Sequence, residues 1–147
     1  MKNRAGHAAS LALNIDRLMR HIHAQLHPRA PDFDRHQVGP LGGMLLLTVS
    51  EHGSIDIQSV VDLLGRDKSQ ISRLIQRFER IGLLTREKSA TDGRVSVLSL
   101  TALGNDQVES IKDVLTLIIE DLFDTLSKNE QSVFEEMLER VLAKKQR

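Results

Sequence analysis

The stretch LLGRDKSQISRLIQRFERIGLLTREKSATDGRVSVLSLTALG, residues 63–104, changes its hydrophobic period partway along, and that change decides the fold. Gly65 stops one helical pattern, and Asp67 opens the next, forming a capping-box-like pair with Gln70 three residues on. Ile71, Leu74, Ile75, Phe78 and Ile81 then recur at i, i+3, i+4, i+7 and i+10, which predicts one buried helical stripe. Lys68, Ser69, Gln70, Ser72, Arg73, Gln76 and Arg77 fall on the opposite face, which is polar and basic and carries no large apolar group. After Gly82 the period falls to that of a strand, in LLTREK (83–88) and again in VSVLSL (95–100). Between them lies SATDGR, where Asp92-Gly93 is read as the left-handed turn of a β-hairpin.

Upstream, Asp56 is a candidate N-cap for a short helix carrying Val60, Val61, Leu63 and Leu64. Two short helices across a tight turn, followed at once by a hairpin, are the layout of a winged helix-turn-helix. Further upstream a helix is expected from Pro40 through Met44, Leu45 and Leu47 to Gly53, with Gly42 and Gly43 weakening its first turn. A first helix, from about Ala5 to Leu26, bears Leu11, Ile15, Leu18, Met19, Ile22 and Leu26, and should end before Pro28 and Pro31, leaving a connector to Gln37.

Downstream, Val108, Ile111, Leu115, Ile118 and Leu122 form one helical stripe. Val114, Leu117, Ile119, Phe123 and Leu126 spread apolar character around the same helix. Ser127 and Glu130 form a capping box for a last helix bearing Val133, Phe134, Met137, Leu138, Val141 and Leu142. That is more apolar surface than packing on one small domain requires, and it reads as a subunit interface. The expected fold is mostly α with a small β-hairpin wing (α+β). Its parts are an N-terminal dimerisation helix and connector (1–36), a winged helix-turn-helix domain (37–101) and C-terminal dimerisation helices (102–147).

The chain has 147 residues, enough for a real core, and no cysteine, which excludes disulfides, thiolate chemistry and cysteine metal sites. Neither a signal-peptide core nor an apolar run of membrane-spanning length is present, so a cytoplasmic address is expected. Net charge is zero, but residues 66–94 hold eight Lys/Arg against four acids, while 101–142 hold three against ten. One part attracts a polyanion and another repels it.

The pieces, in this order and spacing, resemble the MarR family of winged helix-turn-helix regulators, over nearly the whole chain. LLGRDKSQISRLIQRFERIGLL and TREKSATDGRVSVLSLTALG carry the similarity: Asp92 and Arg94 match the family's wing D-x-R element, and Leu100-Thr101 with Gly104 its L-T-x-x-G exit. Gly93 departs from the pattern, standing where a second arginine often follows the aspartate. The resemblance implies a homodimer whose first and last helices knit together, with two winged domains reading palindromic double-stranded DNA. It also implies a repressor released by a small aromatic or phenolic effector. Lacking cysteine, the chain is outside the peroxide-sensing branch.

The expected DNA-binding residues are Lys68, Ser69, Gln70, Ser72, Arg73, Arg77, Arg86, Lys88, Asp92 and Arg94. Gln70 and Arg73 are placed to read base edges, Lys68 and Ser69 to anchor the backbone, and Arg94 to enter a minor groove oriented by Asp92. The solvated-face alternative for the helix is outweighed by its flanking elements. No ligand-binding residue can be assigned, because an effector pocket would be lined by apolar side chains that look like core. No catalytic residue, cofactor or metal is expected: no nucleophile-base set or phosphate loop can be assembled, and the adjacent acids Glu120-Asp121 and Glu135-Glu136 point in different directions. His23 and His27 stand one helical turn apart near His21, but nothing completes a metal set, and they read as exposed or interface histidines. An alternative function is a winged-helix module docking a protein, which the basic, apolar-poor face argues against.

Overall fold

The computed structural model describes residues 2–29 and 36–143. In chain order the elements are α1 (Lys2–Arg29), α2 (Gly39–His52), β1 (Ser54–Asp56), α3 (Ile57–Leu64), α4 (Lys68–Arg80), β2 (Leu84–Lys88), β3 (Ser96–Leu100), α5 (Ala102–Phe123) and α6 (Lys128–Ala143). This is the expected mostly helical fold with a hairpin. Two features differ from the expectation. A three-residue strand, β1, joins the hairpin to give an antiparallel sheet in the order β1-β3-β2. And α1 runs through Pro28 to Arg29. A proline in the last turn removes one N–H while only one further residue must stay helical, so little of the ladder is lost.

The core forms where α2, α3, α4, the sheet and the start of α5 converge, with Leu45, Leu46, Val49, Val60, Ile71, Ile75, Phe78, Leu83, Leu98, Val108 and Ile111 buried. Phe78 is the largest of the fully buried side chains. The first turn of α2 meets it: a Cβ on Gly42 would stand 2.6 Å from Phe78 Cζ and 3.2 Å from Val38 Cγ1. Gly42, a poor helix former, is therefore present to let α2 approach the aromatic ring of α4.

The starts of α3 and α4 carry the aspartate caps that the sequence predicts. Asp56 accepts from the Ser59 backbone N–H at 2.9 Å and from its hydroxyl at 2.6 Å, and Asp67 accepts from the N–H groups of Ser69 and Gln70 at 2.9 and 3.1 Å. Gly65 ends α3 in the left-handed region, φ 59°, and its N–H bonds to the Val61 carbonyl. The Ser59 hydroxyl, and then its backbone N–H, hold the Asp56 carboxyl below the usual carboxylate range. A depressed folded-state pKa contributes stability that is present above the unfolded value, about 3.9, and lost as pH falls through the folded one. Asp56→Ala should cost about 1 kcal/mol at neutral pH. In thermal melts at pH 7 and at pH 3, the gap between variant and wild type should narrow at the lower pH.

The exit from the hairpin explains the Thr101 and Gly104 pair. The Thr101 hydroxyl donates to the carbonyl oxygens of Gly82 and Leu83 and accepts from Gly104 N–H at 3.0 Å, while Thr101 N–H donates to Leu83 O at 3.1 Å. One threonine thus caps α5 and ties it to the α4–β2 junction. Gly104 is buried against that junction, where a Cβ would lie inside contact distance of the Leu83 carbonyl.

At the far end, α6 packs on the end of α5. Phe123 and Phe134 meet edge to face with centroids 5.1 Å apart, and the Gln131 amide donates to the carbonyls of Phe123, which also accepts from Leu126 N–H, and of Leu126 in the turn after α5. Ser127 and Glu130 form the reciprocal capping box, and Ser127's N–H and hydroxyl lower the Glu130 pKa. Arg29 at the end of α1 reaches Asp121 at 2.7 Å. Large apolar residues nonetheless stay exposed along α1 (Leu11, Leu13, Ile15, Met19) and α6 (Met137, Leu138, Val141, Leu142), and no described residue of α6 is buried.

Candidate nucleic-acid interface

On α4 the buried residues Ile71, Ile75 and Phe78 leave the reverse side to Ser69, Ser72, Arg73, Gln76 and Arg80, which recur at i, i+3, i+4, i+7 and i+11. Ser69, Arg73, Gln76 and Arg80 are exposed, and Ser72 is half-buried. Lys68 and Gln70 flank this stripe, both exposed at the capped N-terminus of the helix. The Asp67 carboxylate already takes the Ser69 and Gln70 N–H groups at that end, so the attraction for a polyanion comes from the side chains of Lys68, Arg73 and Arg80, and no large apolar group stands on the stripe. Arg73 Nε bonds back to the Ser69 carbonyl at 3.3 Å, leaving the rest of its guanidinium outward. Gln76 and Arg80 lie near the middle of this face and were not among the expected contacts; their helical-wheel positions were the available signal.

Arg77 is turned inward instead. Its Nη2 donates to the Gln37 carbonyl at 2.6 Å, and its guanidinium carbon sits 5.3 Å from the Phe78 ring centroid. Gln37 is itself in the left-handed region, φ 49°, so Arg77 pins a strained residue just before α2. A groove of about 460 Å³ runs there, between the start of α2 and Gln70, Arg73, Leu74 and Arg77.

The wing is built on register. Leu84 pairs with Leu100, Arg86 with Leu98 and Lys88 with Ser96. Arg86 is likewise engaged within the protein: Nε lies 3.0 Å from Glu79 Oε1 and Nη2 2.9 Å from Oε2. Lys88 is exposed at the end of β2.

At the wing tip the structure corrects the turn. Gly93 is not in the left-handed region; among the described glycines that geometry belongs to Gly39, Gly53, Gly65 and Gly82. The connection is longer than a two-residue turn. It is closed by Ser89 N–H to Val95 O at 2.8 Å and Val95 N–H to Asp92 O at 3.0 Å, with the Ser89 hydroxyl taking the N–H groups of Thr91 and Asp92. Asp92 accepts from the Arg94 backbone N–H at 3.0 Å. Its carboxylate therefore shapes the loop by bonding to the backbone of Arg94, and among the described residues no acid pairs with the Arg94 guanidinium, which is exposed.

The described residues contain no group of three or more histidines, aspartates or glutamates close enough to hold a metal ion. His21 bonds to Gln25 at 2.8 Å, and the His27 side chain lies outside the described set. No helix among the described residues is long and apolar enough to cross a membrane.

Residues 43–96 match the model of the MarR family. The curated relative YdgJ of Bacillus subtilis, an uncharacterized HTH-type transcriptional regulator, is 24% identical over 97 residues, covering 66% of this chain and 57% of that protein. The match thus spans little more than half of that relative's length. Among solved structures, a mutant MarR from E. coli complexed with operator DNA is 18% identical, with a TM-score of 0.70 over 92% of this chain and 96% of that one. Bordetella bronchiseptica BpsR, whose DNA binding is regulated by 6-hydroxynicotinic acid, is 19% identical, with a TM-score of 0.70 over 90% of this chain and 98% of that one. At these identities the structural likeness is one of fold.

Proposed function

We propose that this chain, whose residues 43–96 match the model of the MarR family, is a transcriptional repressor that binds palindromic double-stranded DNA as a homodimer in the cytoplasm. The observation that carries the reading is the outward stripe of α4, polar and basic, beside a hairpin whose tip exposes Arg94. In this reading α4 lies in the major groove, with Gln70 and Arg73 reading base edges and Lys68, Ser69 and Ser72 on the backbone. Lys88 and Arg94 reach the flanks, with Arg94 in the minor groove. The two terminal helices, with their exposed apolar residues, form the dimer together with the end of α5. A cleft of about 870 Å³ between α1, α5 and α6, lined by Leu18, Ile22, Phe123, Phe134 and Leu138, favours the uptake of apolar side chains there.

A small aromatic effector is the proposed release signal, on the analogy of BpsR with 6-hydroxynicotinic acid and of NadR, solved in complex with 4-hydroxyphenylacetate. The test of the whole is selection of DNA from random fragments, followed by gel shifts across salt concentrations. A palindrome bound with a steep salt dependence is expected; binding without sequence preference would refute the reading.

Two substitutions separate the roles. Arg73→Ala should cost about 1 to 3 kcal/mol and relax preference at one position of each half-site. Repeating the selection checks this, and an unchanged motif would make Arg73 a backbone contact. Arg94→Ala should also weaken binding by about 1 to 3 kcal/mol, with the dimer's salt slope shallower by at most about two units. Wild-type binding by that variant at every salt concentration would take the hairpin off the DNA.

A further inference from the structure

The ties at the base of the hairpin hold one point of it. Leu83 N–H donates to Phe78 O at 2.8 Å, and Thr101 fastens the carbonyls of Gly82 and Leu83. Gly82, φ 80°, is the joint between α4 and β2. These bonds fix where β2 begins, and pairing with β3, which β1 holds in turn through Val97, Leu98 and Ser99, carries it on to Lys88. A side-chain tie to the helix comes two residues into the strand. Arg86 is opposite Leu98, so alternation puts it on the core-facing side of the sheet, in line with Leu84. An arginine at this position has a partner in the Glu79 carboxylate on the last turn of α4, which it meets through Nε and Nη2. From Arg86 to Val95 nothing in the hairpin is buried.

We propose that Glu79 is a positioning residue: its two-pronged bond to Arg86 sets the angle of the wing to the recognition helix, and so the spacing at which Arg94 and Arg73 meet one duplex. This rests on the DNA-binding reading above. The side chains are 27% and 35% exposed, so solvent screens the pair and its contribution to stability is small, whereas fork-to-fork geometry restricts orientation strongly. While the pair holds, Arg86 has its Nε and one Nη2 donor committed to Glu79.

The experiment compares E79Q, R86Q, the swap E79R/R86E, and E79Q in an R94A background, by fluorescence anisotropy at fixed salt on the DNA the wild type selects. E79Q and R86Q should each weaken binding by about 3- to 10-fold, the swap should return to within about twofold, and E79Q should add nothing once Arg94 is gone. If Arg86 is instead a DNA contact, E79Q releases a cation, removes an acid and tightens binding, and that sign overturns the proposal. So does an undiminished E79Q effect in the R94A background. A readout free of DNA accompanies these: in E79Q, backbone amides of 88–96 should exchange faster while those of 71–78 do not, and the swap should reverse the change. Unchanged exchange overturns the proposal. Should the wild type select no DNA, the functional reading fails alone, and the exchange data still decide whether Glu79 holds the wing.

Discussion

Gly104→Ala should destabilise the protein by about 3 kcal/mol, roughly a 10 °C drop in melting temperature, although alanine is the better helix former. Propensity alone favours alanine by about 1 kcal/mol in a helix interior. Against that, the new Cβ would press on the Leu83 carbonyl, which is backbone and already accepts from Thr101 N–H. Relief requires moving either the α4–β2 junction or the first turn of α5, and both are anchored in the core through Leu83 and Val108. The clash therefore wins over propensity. Circular-dichroism melts of Gly104→Ala beside Gly6→Ala give the comparison, since Gly6 has nothing within 4 Å of its Cβ position. Gly6→Ala should be neutral or slightly stabilising, and a Gly104→Ala protein that melts with the wild type would remove the close approach from the account.

Leu138→Glu should convert the proposed dimer to monomer, with DNA affinity falling on the order of 100-fold or more as the two half-sites cease to be bound together. Leu138 is 47% exposed, beside Met137 at 56% and Val141 at 68%, and α1 adds Leu11 and Ile15 at about half exposure. Scattered apolar side chains are ordinary on a surface; a run of them along two neighbouring helices is not. Leu63, 58% exposed on α3 away from these helices, supplies the control: Leu63→Gln should leave the assembly unchanged. Sedimentation velocity reads both variants, and a folded monomeric wild type would defeat the dimer.

Elements with strong periodicity are legible in the sequence alone. The stripe Ile71, Leu74, Ile75 and Phe78, the caps Asp56, Asp67 and Ser127, and both hairpin strands stand where their patterns put them. What could not be read depended on contacts distant in sequence. Ser54-Ile55-Asp56 is too short to show a period and becomes a strand only by pairing with Val97, Leu98 and Ser99. Gly42 weakens α2 by propensity, and its reason is the Phe78 ring packed against it from another helix. The basic residues Arg77 and Arg86 look no different in sequence from Arg73 and Arg94, but Gln37 and Glu79 engage the first two. Charge counts by residue type cannot distinguish an arginine with an internal partner from one facing solvent.

The small sheet also bears on how the protein behaves at high concentration. A three-stranded sheet has two outer borders, and any open border is a template on which a foreign strand can grow. On one border that template is only three residues long, Ser54–Asp56, and ends in the N-cap of α3, so pairing there can hardly propagate. On the other, β2 presents Arg86, Glu87 and Lys88 in succession, and a second copy laid antiparallel or in register would have to bury or oppose charge at each step. Between them β3, the most apolar strand, has both sides occupied. A hairpin that reaches into solvent is thus shielded from pairing with other copies of itself.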